Sequence, residues 1–96
     1  MEKSAALLNA MSNPKRLQIL GVLSENEMSV GQLANLVDLS QSALSQHLAK
    51  LRAEKLVTTR RDAQTIYYSS RSRAVRLVLN ALDTIFGTTA SATAQE

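Results

Sequence analysis

The feature that most restricts the fold is a pair of helix-start signals set close together. Ser29 is followed three residues on by Gln32, the spacing of a capping box. In that motif the serine oxygen accepts the N–H of the third helical residue while the glutamine reaches back to the serine N–H. Ser40 opens a second helix eleven residues later. Met28 with Leu33, and Leu39 with Leu44, take the positions of hydrophobic staples that fix the angle at which the chain enters each helix. The first of these helices has room for Val30 to Val37 before Asp38-Leu39-Ser40 stops it. Two short capped helices joined by about three residues make a helix-turn-helix.

The two faces of the second helix differ sharply. Leu44, Leu48 and Leu51 recur at i, i+4 and i+7 and form one inward stripe. Gln41, Ser42, Ser45, Gln46, Ala49 and Lys50 then face away from it. One reading is an ordinary solvated face. Solvated helices, however, favour Glu and Lys, and a serine- and glutamine-rich face is a poor choice on helix propensity. Polarity without charge therefore favours a contact surface, of the kind that meets base edges and phosphates.

After Leu56 the apolar period changes to two. Val57 to Arg60 and Thr65 to Ser69 read as the strands of a β-hairpin, a wing following the helix-turn-helix. Its tip, Arg61-Asp62-Ala63-Gln64, lacks the Asn-Gly or Asp-Gly of a two-residue turn, so a longer and more mobile loop is expected. Arginines there suit a phosphate or a minor groove. Ahead of these elements, a short helix is predicted from Lys3 to Met11, and Asn13-Pro14 caps another that runs to about Ser24. A last helix spans Ser72 to Phe86, with Val75, Val78, Leu79, Leu82 and Phe86 on one face, widened by Leu77, Ala81 and Ile85. That is more apolar surface than a small domain buries alone, so this helix and the first are the expected homodimer surface. Gly87 ends it, and the Thr-, Ala- and Ser-rich residues 88–96 are expected to be a disordered tail. The reading is a mainly α domain over residues 1–87 in the order ααααββα, a winged helix-turn-helix.

Composition narrows the function. Ninety-six residues make one domain, and one Phe, two Tyr and no Trp leave an aliphatic core. The absence of cysteine excludes disulfides, thiolate zinc sites, iron–sulfur ligation and redox-sensing thiols in this chain. No run approaches the roughly 18 apolar residues of a membrane span, and Met1 to Ala6 does not read as a signal peptide. The expectation is a soluble cytoplasmic protein with no membrane partner. Net charge is +3, but His47 to Arg76 holds eight cations against two acids, +6, which leaves −3 for the remainder. A basic block beside an acidic remainder suits a polyanion, although a charge run also serves as a solvated face. His47 is the only histidine, and no nucleophile elbow, oxyanion loop or phosphate-binding glycine motif accompanies it. No enzyme, cofactor or metal site is expected. A protein-interaction module on the same scaffold is the alternative from another class.

Three stretches carry a family resemblance: Asn13-Pro14-Lys15-Arg16-Leu17-Gln18-Ile19-Leu20, Leu39-Ser40-Gln41-Ser42-Ala43-Leu44-Ser45-Gln46-His47-Leu48, and Thr59 to Tyr68. With them the chain resembles the ArsR/SmtB family of bacterial repressors, within it the branch of HlyU-, BigR- and NolR-type regulators. The resemblance implies a dimer built on the first and last helices that binds double-stranded DNA. It implies Gln41, Ser42, Ser45 and Gln46 in the major groove beside the Ser40 cap and Lys50, with Arg60, Arg61 and Gln64 on the wing. Repressor, activator and anti-silencer share that contact and stay open, as does any small-molecule effector. The departures matter too. Where metal-sensing members carry a cysteine pair stand Ser29 and Gly31, and the last helix offers Asp83 without histidine. Where thiol-sensing relatives carry cysteines stand Gly21 and Gly87.

Overall fold

The computed structural model describes residues 1–87. Five helices and three strands follow one another as α1 (Glu2–Met11), α2 (Pro14–Glu25), β1 (Met28–Ser29), α3 (Val30–Val37), α4 (Gln41–Ala53), β2 (Thr58–Asp62), β3 (Thr65–Ser69) and α5 (Arg73–Phe86). The expected order stands, with β1 added. The expected tail lies outside the described residues.

Every helix after α1, whose start has no side-chain cap, begins where a side chain satisfies its first N–H groups. Asn13 accepts from the N–H groups of Lys15 and Arg16, and Pro14 takes the first helical position of α2. The Ser29 capping box closes in both directions. Ser40 accepts from the Ala43 N–H, and Ser72 from that of Val75. Two helices end on left-handed residues without glycine. Asp38 (φ 59) closes α3, and Lys55 (φ 61) follows α4. The N–H groups of Leu39 and Leu56 then return to the carbonyls of Ala34 and Leu51, which turns both leucines inward.

The core is aliphatic, as one Phe and two Tyr dictate. Ile19, Leu20 and Leu23 of α2, Leu33, Ala34 and Val37 of α3, and Leu44, Leu48 and Leu51 of α4 are buried together. Leu56 and Val57 continue that core to the root of the wing.

The sheet is antiparallel in the order β1-β3-β2. Met28 pairs with Tyr68 and Ser29 with Tyr67, so Ser29 is at once a strand residue and a helix cap. The wing departs from expectation at its tip. Pairing continues through Arg61↔Ile66 and Asp62↔Thr65, leaving a two-residue turn at Ala63-Gln64 in place of a longer loop. Ala63 supplies the positive φ (56) that glycine or asparagine would ordinarily provide. Ladder pairing therefore outweighs a turn cost of about 1–2 kcal/mol for an L-residue in that region.

Ser70 ties the wing to the helices. It is buried, its N–H donates to the Leu23 carbonyl at the end of α2 (3.0 Å), and its hydroxyl donates to the Leu56 carbonyl (2.7 Å). α5, by contrast, rests lightly. Only Val75 is buried, while Leu77, Ile85 and Phe86 stay 56%, 67% and 66% exposed. Leu8 of α1 is 56% exposed as well.

Candidate nucleic-acid interface

α4 is held by one side and open on the other. With Leu44, Leu48 and Leu51 fully buried, Gln41, Ser42, Ser45, Gln46 and Lys50 are all exposed. Their amides and hydroxyls supply both donors and acceptors, the requirement for reading base edges. The oxygen of Ser40 is occupied by the α4 cap at 3.1 Å from the Ala43 nitrogen, though its hydroxyl proton is still available. Gln41 leans back against α3, where a β-carbon on Gly31 would stand 3.8 Å from the Gln41 amide nitrogen. Lys50 and Arg52 lie in the last turn of α4, where cations complement the exposed carbonyls.

The two wing arginines part company. Side chains alternate along a strand, so Arg60 shares a face with Thr58 and Asp62, and Arg61 lies on the other. Arg60 donates from Nε and Nη2 to the two oxygens of Glu27, at 2.9 and 2.7 Å, and its guanidinium lies 4.9 Å from the centre of the Tyr67 ring. The bidentate bond holds the Glu27 carboxyl below its ordinary value, with the charges of Arg60 and Arg71 adding to the effect. Arg61 and Gln64 are exposed near the tip, and the one acid recorded near an arginine there, Asp62, faces Arg60 at 4.0 Å. The structure thus gathers Gln41, Ser42, Ser45, Gln46 and Lys50 on one helix and leaves Arg61 and Gln64 available on the wing. Arg60 is engaged within the protein.

Three charged residues beyond the expected set shape this surface. Glu27 is one; its partner lies 33 positions away, beyond any local pattern. The others are Lys15 and Arg16, which open α2. The Lys15 ammonium donates to the Val37 carbonyl, and Arg16 donates from Nε to the Ala10 carbonyl at 2.6 Å. Arg16 Nη1 also approaches His47 Nδ1 on α4 to 3.5 Å, long for a hydrogen bond. Burial, and then the charge of Arg16, lower the pKa of His47 below 6.5. Among the described residues no group of three or more His, Asp or Glu side chains could hold a metal ion, and no helix is long and apolar enough to cross a membrane.

The family described as "Bacterial regulatory protein, arsR family" matches residues 13–59, from the α2 cap into the wing. The nodulation protein NolR of Rhizobium meliloti is 65% identical over 86 residues, covering 90% of this chain and 70% of its own. The crystal structure of NolR from Sinorhizobium fredii superposes with a TM-score of 0.89 at 64% identity, over 92% of this chain and 88% of that one. The transcriptional activator HlyU of Vibrio cholerae is 50% identical over 90 residues, 90% of this chain and 83% of HlyU. A homodimeric winged helix-turn-helix DNA-binding domain from Mycobacterium bovis superposes at TM-score 0.77 and 26% identity, over 88% and 78% of the two chains. With its capped helix-turn-helix and antiparallel wing, the chain belongs to the ArsR family of DNA-binding transcription regulators.

Proposed function

We propose that the chain is a cytoplasmic repressor that binds one operator as a C2 homodimer. α4 enters the major groove, and the wing, through Arg61 and Gln64, meets the adjoining backbone or minor groove. The observation that carries the reading is the exposed Gln41, Ser42, Ser45 and Gln46 face on a helix anchored by three buried leucines. A rigid helix presenting amides and hydroxyls without competing carboxylates is suited to base-edge recognition. The apolar surfaces of α1 and α5 support dimerisation, in line with the homodimeric relative. Two-fold symmetry then makes the operator an imperfect palindrome with half-sites about one helical turn apart.

A DNA protection assay on genomic fragments tests this. Two protected half-sites overlapping a promoter are expected. An asymmetric single half-site overturns the dimeric reading, and failure to protect any fragment overturns sequence-specific binding. A second reading, activation by displacement of a silencing protein, is favoured by the similarity to a protein named as an activator. Operators lying away from the polymerase site, with expression falling when the gene is deleted, would select it. The absence of a nucleophile elbow, oxyanion loop or phosphate-binding glycine motif supports a regulator without catalytic activity.

A further inference from the structure

The first turn of α2 points its two adjacent cations in different directions, and each ends on another helix. Lys15 donates to Val37, the last residue of α3 and the start of the turn into α4. Arg16 donates to Ala10 at 2.6 Å and to Asn9 at 3.4 Å, the carbonyls that end α1, and reaches toward His47 on α4. Carbonyls at a helix C-terminus lack intrahelical donors and carry the negative end of the helix dipole, so a cation there is favoured twice over. Both side chains are half-buried, which keeps them from wandering in solvent. Ser12 donates from its N–H and its hydroxyl to the Asn9 carbonyl at 3.3 and 2.9 Å, and the Asn13 N–H donates to the Met11 carbonyl, which leaves the Ala10 carbonyl between them to Arg16. No basic residue lies in the last turn of α1, and its C-cap Ser12 is in neither a left-handed nor an extended conformation.

We propose that Lys15 and Arg16 are positioning residues that clamp the helix-turn-helix to the end of α1, and so set the distance between the two recognition helices of a dimer. The inference rests on the reading of α4 as the recognition helix and of α1 as part of the dimer surface. Arg16 is the central member. Its fork of donors spans the α1 carbonyls and His47 together, whereas a lysine, with a single ammonium, reaches one or the other. The His47 contact needs a free lone pair on Nδ1, which a neutral ring protonated at Nε2 provides. None of these groups belongs to the exposed face of α4 that meets DNA in this reading.

The test has one arm without DNA and one with it, both on the full chain. In the first, amide spectra are compared for the unaltered protein, His47→Leu, Arg16→Lys and the double variant. His47→Leu is expected to shift resonances of Asn9, Ala10 and Met11 in the unaltered background and to shift them several-fold less when residue 16 is lysine. Equal shifts in both backgrounds overturn the clamp. In the second arm, each protein selects from duplexes carrying palindromic half-sites at variable spacing. The unaltered protein should enrich one spacing at least tenfold. Arg16→Lys, which keeps the charge, and Lys15→Met, which keeps the aliphatic stem, should accept spacings one base pair longer and shorter within about threefold. A variant that keeps its sharp spacing preference overturns the positioning role. Coupled spectra with no spacing preference even in the unaltered protein overturn the dimeric operator reading instead. If Arg16→Lys fails to fold, His47→Leu leaves the α1 carbonyl contacts in place, and its unchanged spacing preference would still refute the α4 half of the clamp.

Discussion

Arg60 and Arg61 are neighbours in sequence and opposites in the sheet, and their consequences for binding should differ accordingly. Both are exposed, but Arg60 is paired with Glu27 while Arg61 has no ion-pair partner among the described residues, so Arg61→Ala is expected to weaken operator and random DNA alike, and to lower the slope of log K against log salt by about one. Arg60→Ala should change that slope far less, because Glu27 already balances its charge. Gln41→Ala is expected to cost about 1–3 kcal/mol on the operator, with little loss on random duplex and an unchanged salt slope. Titration of binding by the three variants on both DNAs checks this; an equal loss on operator and random DNA from Gln41→Ala removes it from the groove. His47 gives a pH signature. Its folded pKa lies below the 6.5 of an ordinary histidine, so the folded state resists protonation. Its contribution to stability is present above that value and is lost as pH falls below it. Melting temperature should therefore drop between pH 7 and 5.5, and His47→Leu should flatten that drop. A slope unchanged by the substitution would show that other groups control it.

At the scale of the element, the wing turn holds a strain that can be relieved. Ala63→Gly removes the left-handed penalty and should raise stability by up to about 1 kcal/mol, the gain reduced by the extra freedom of glycine in the unfolded chain. Denaturant unfolding measures it, and a destabilised variant would mean that the alanine methyl packs against something. The capped helices were legible in sequence because caps and staples act within five residues: Ser29, Gln32 and Ser40 bond as their spacing predicts. The outward face of α4 was legible for the same reason. The turn was not, because its length is set by whether Arg61 and Asp62 find Ile66 and Thr65, a balance between ladder and loop that residue types leave open. β1 escaped notice since two residues carry no period, and their partners Tyr67 and Tyr68 lie far along the chain. Glu27 and Arg16 were silent on similar grounds. Their partners stand 33 and 31 positions away, and only the folded chain brings them together.

For the whole molecule, the exposed apolar face of α5 is where the proposed dimer would join. Ile85 is mostly exposed, so Ile85→Glu should leave each chain folded while placing a charge in the proposed interface. Light scattering should then give the mass of one chain instead of two, with operator binding falling at least tenfold while random-DNA binding persists. An unaltered dimer would move the interface elsewhere. Because the chain has no cysteine and the described residues hold no metal-binding cluster, zinc, chelator and persulfide are each expected to change operator affinity by less than about twofold. A larger loss with stoichiometric zinc would reveal a site formed between chains. The light seating of α5 also bears on dosage. If an apolar face on each chain is satisfied only by a second chain, then below the dimer dissociation constant the population able to occupy an operator grows as the square of the amount synthesised. Halving the gene's output would then cut occupancy to about a quarter in the unsaturated range. Such a regulator responds steeply to its own abundance, which then acts as a signal.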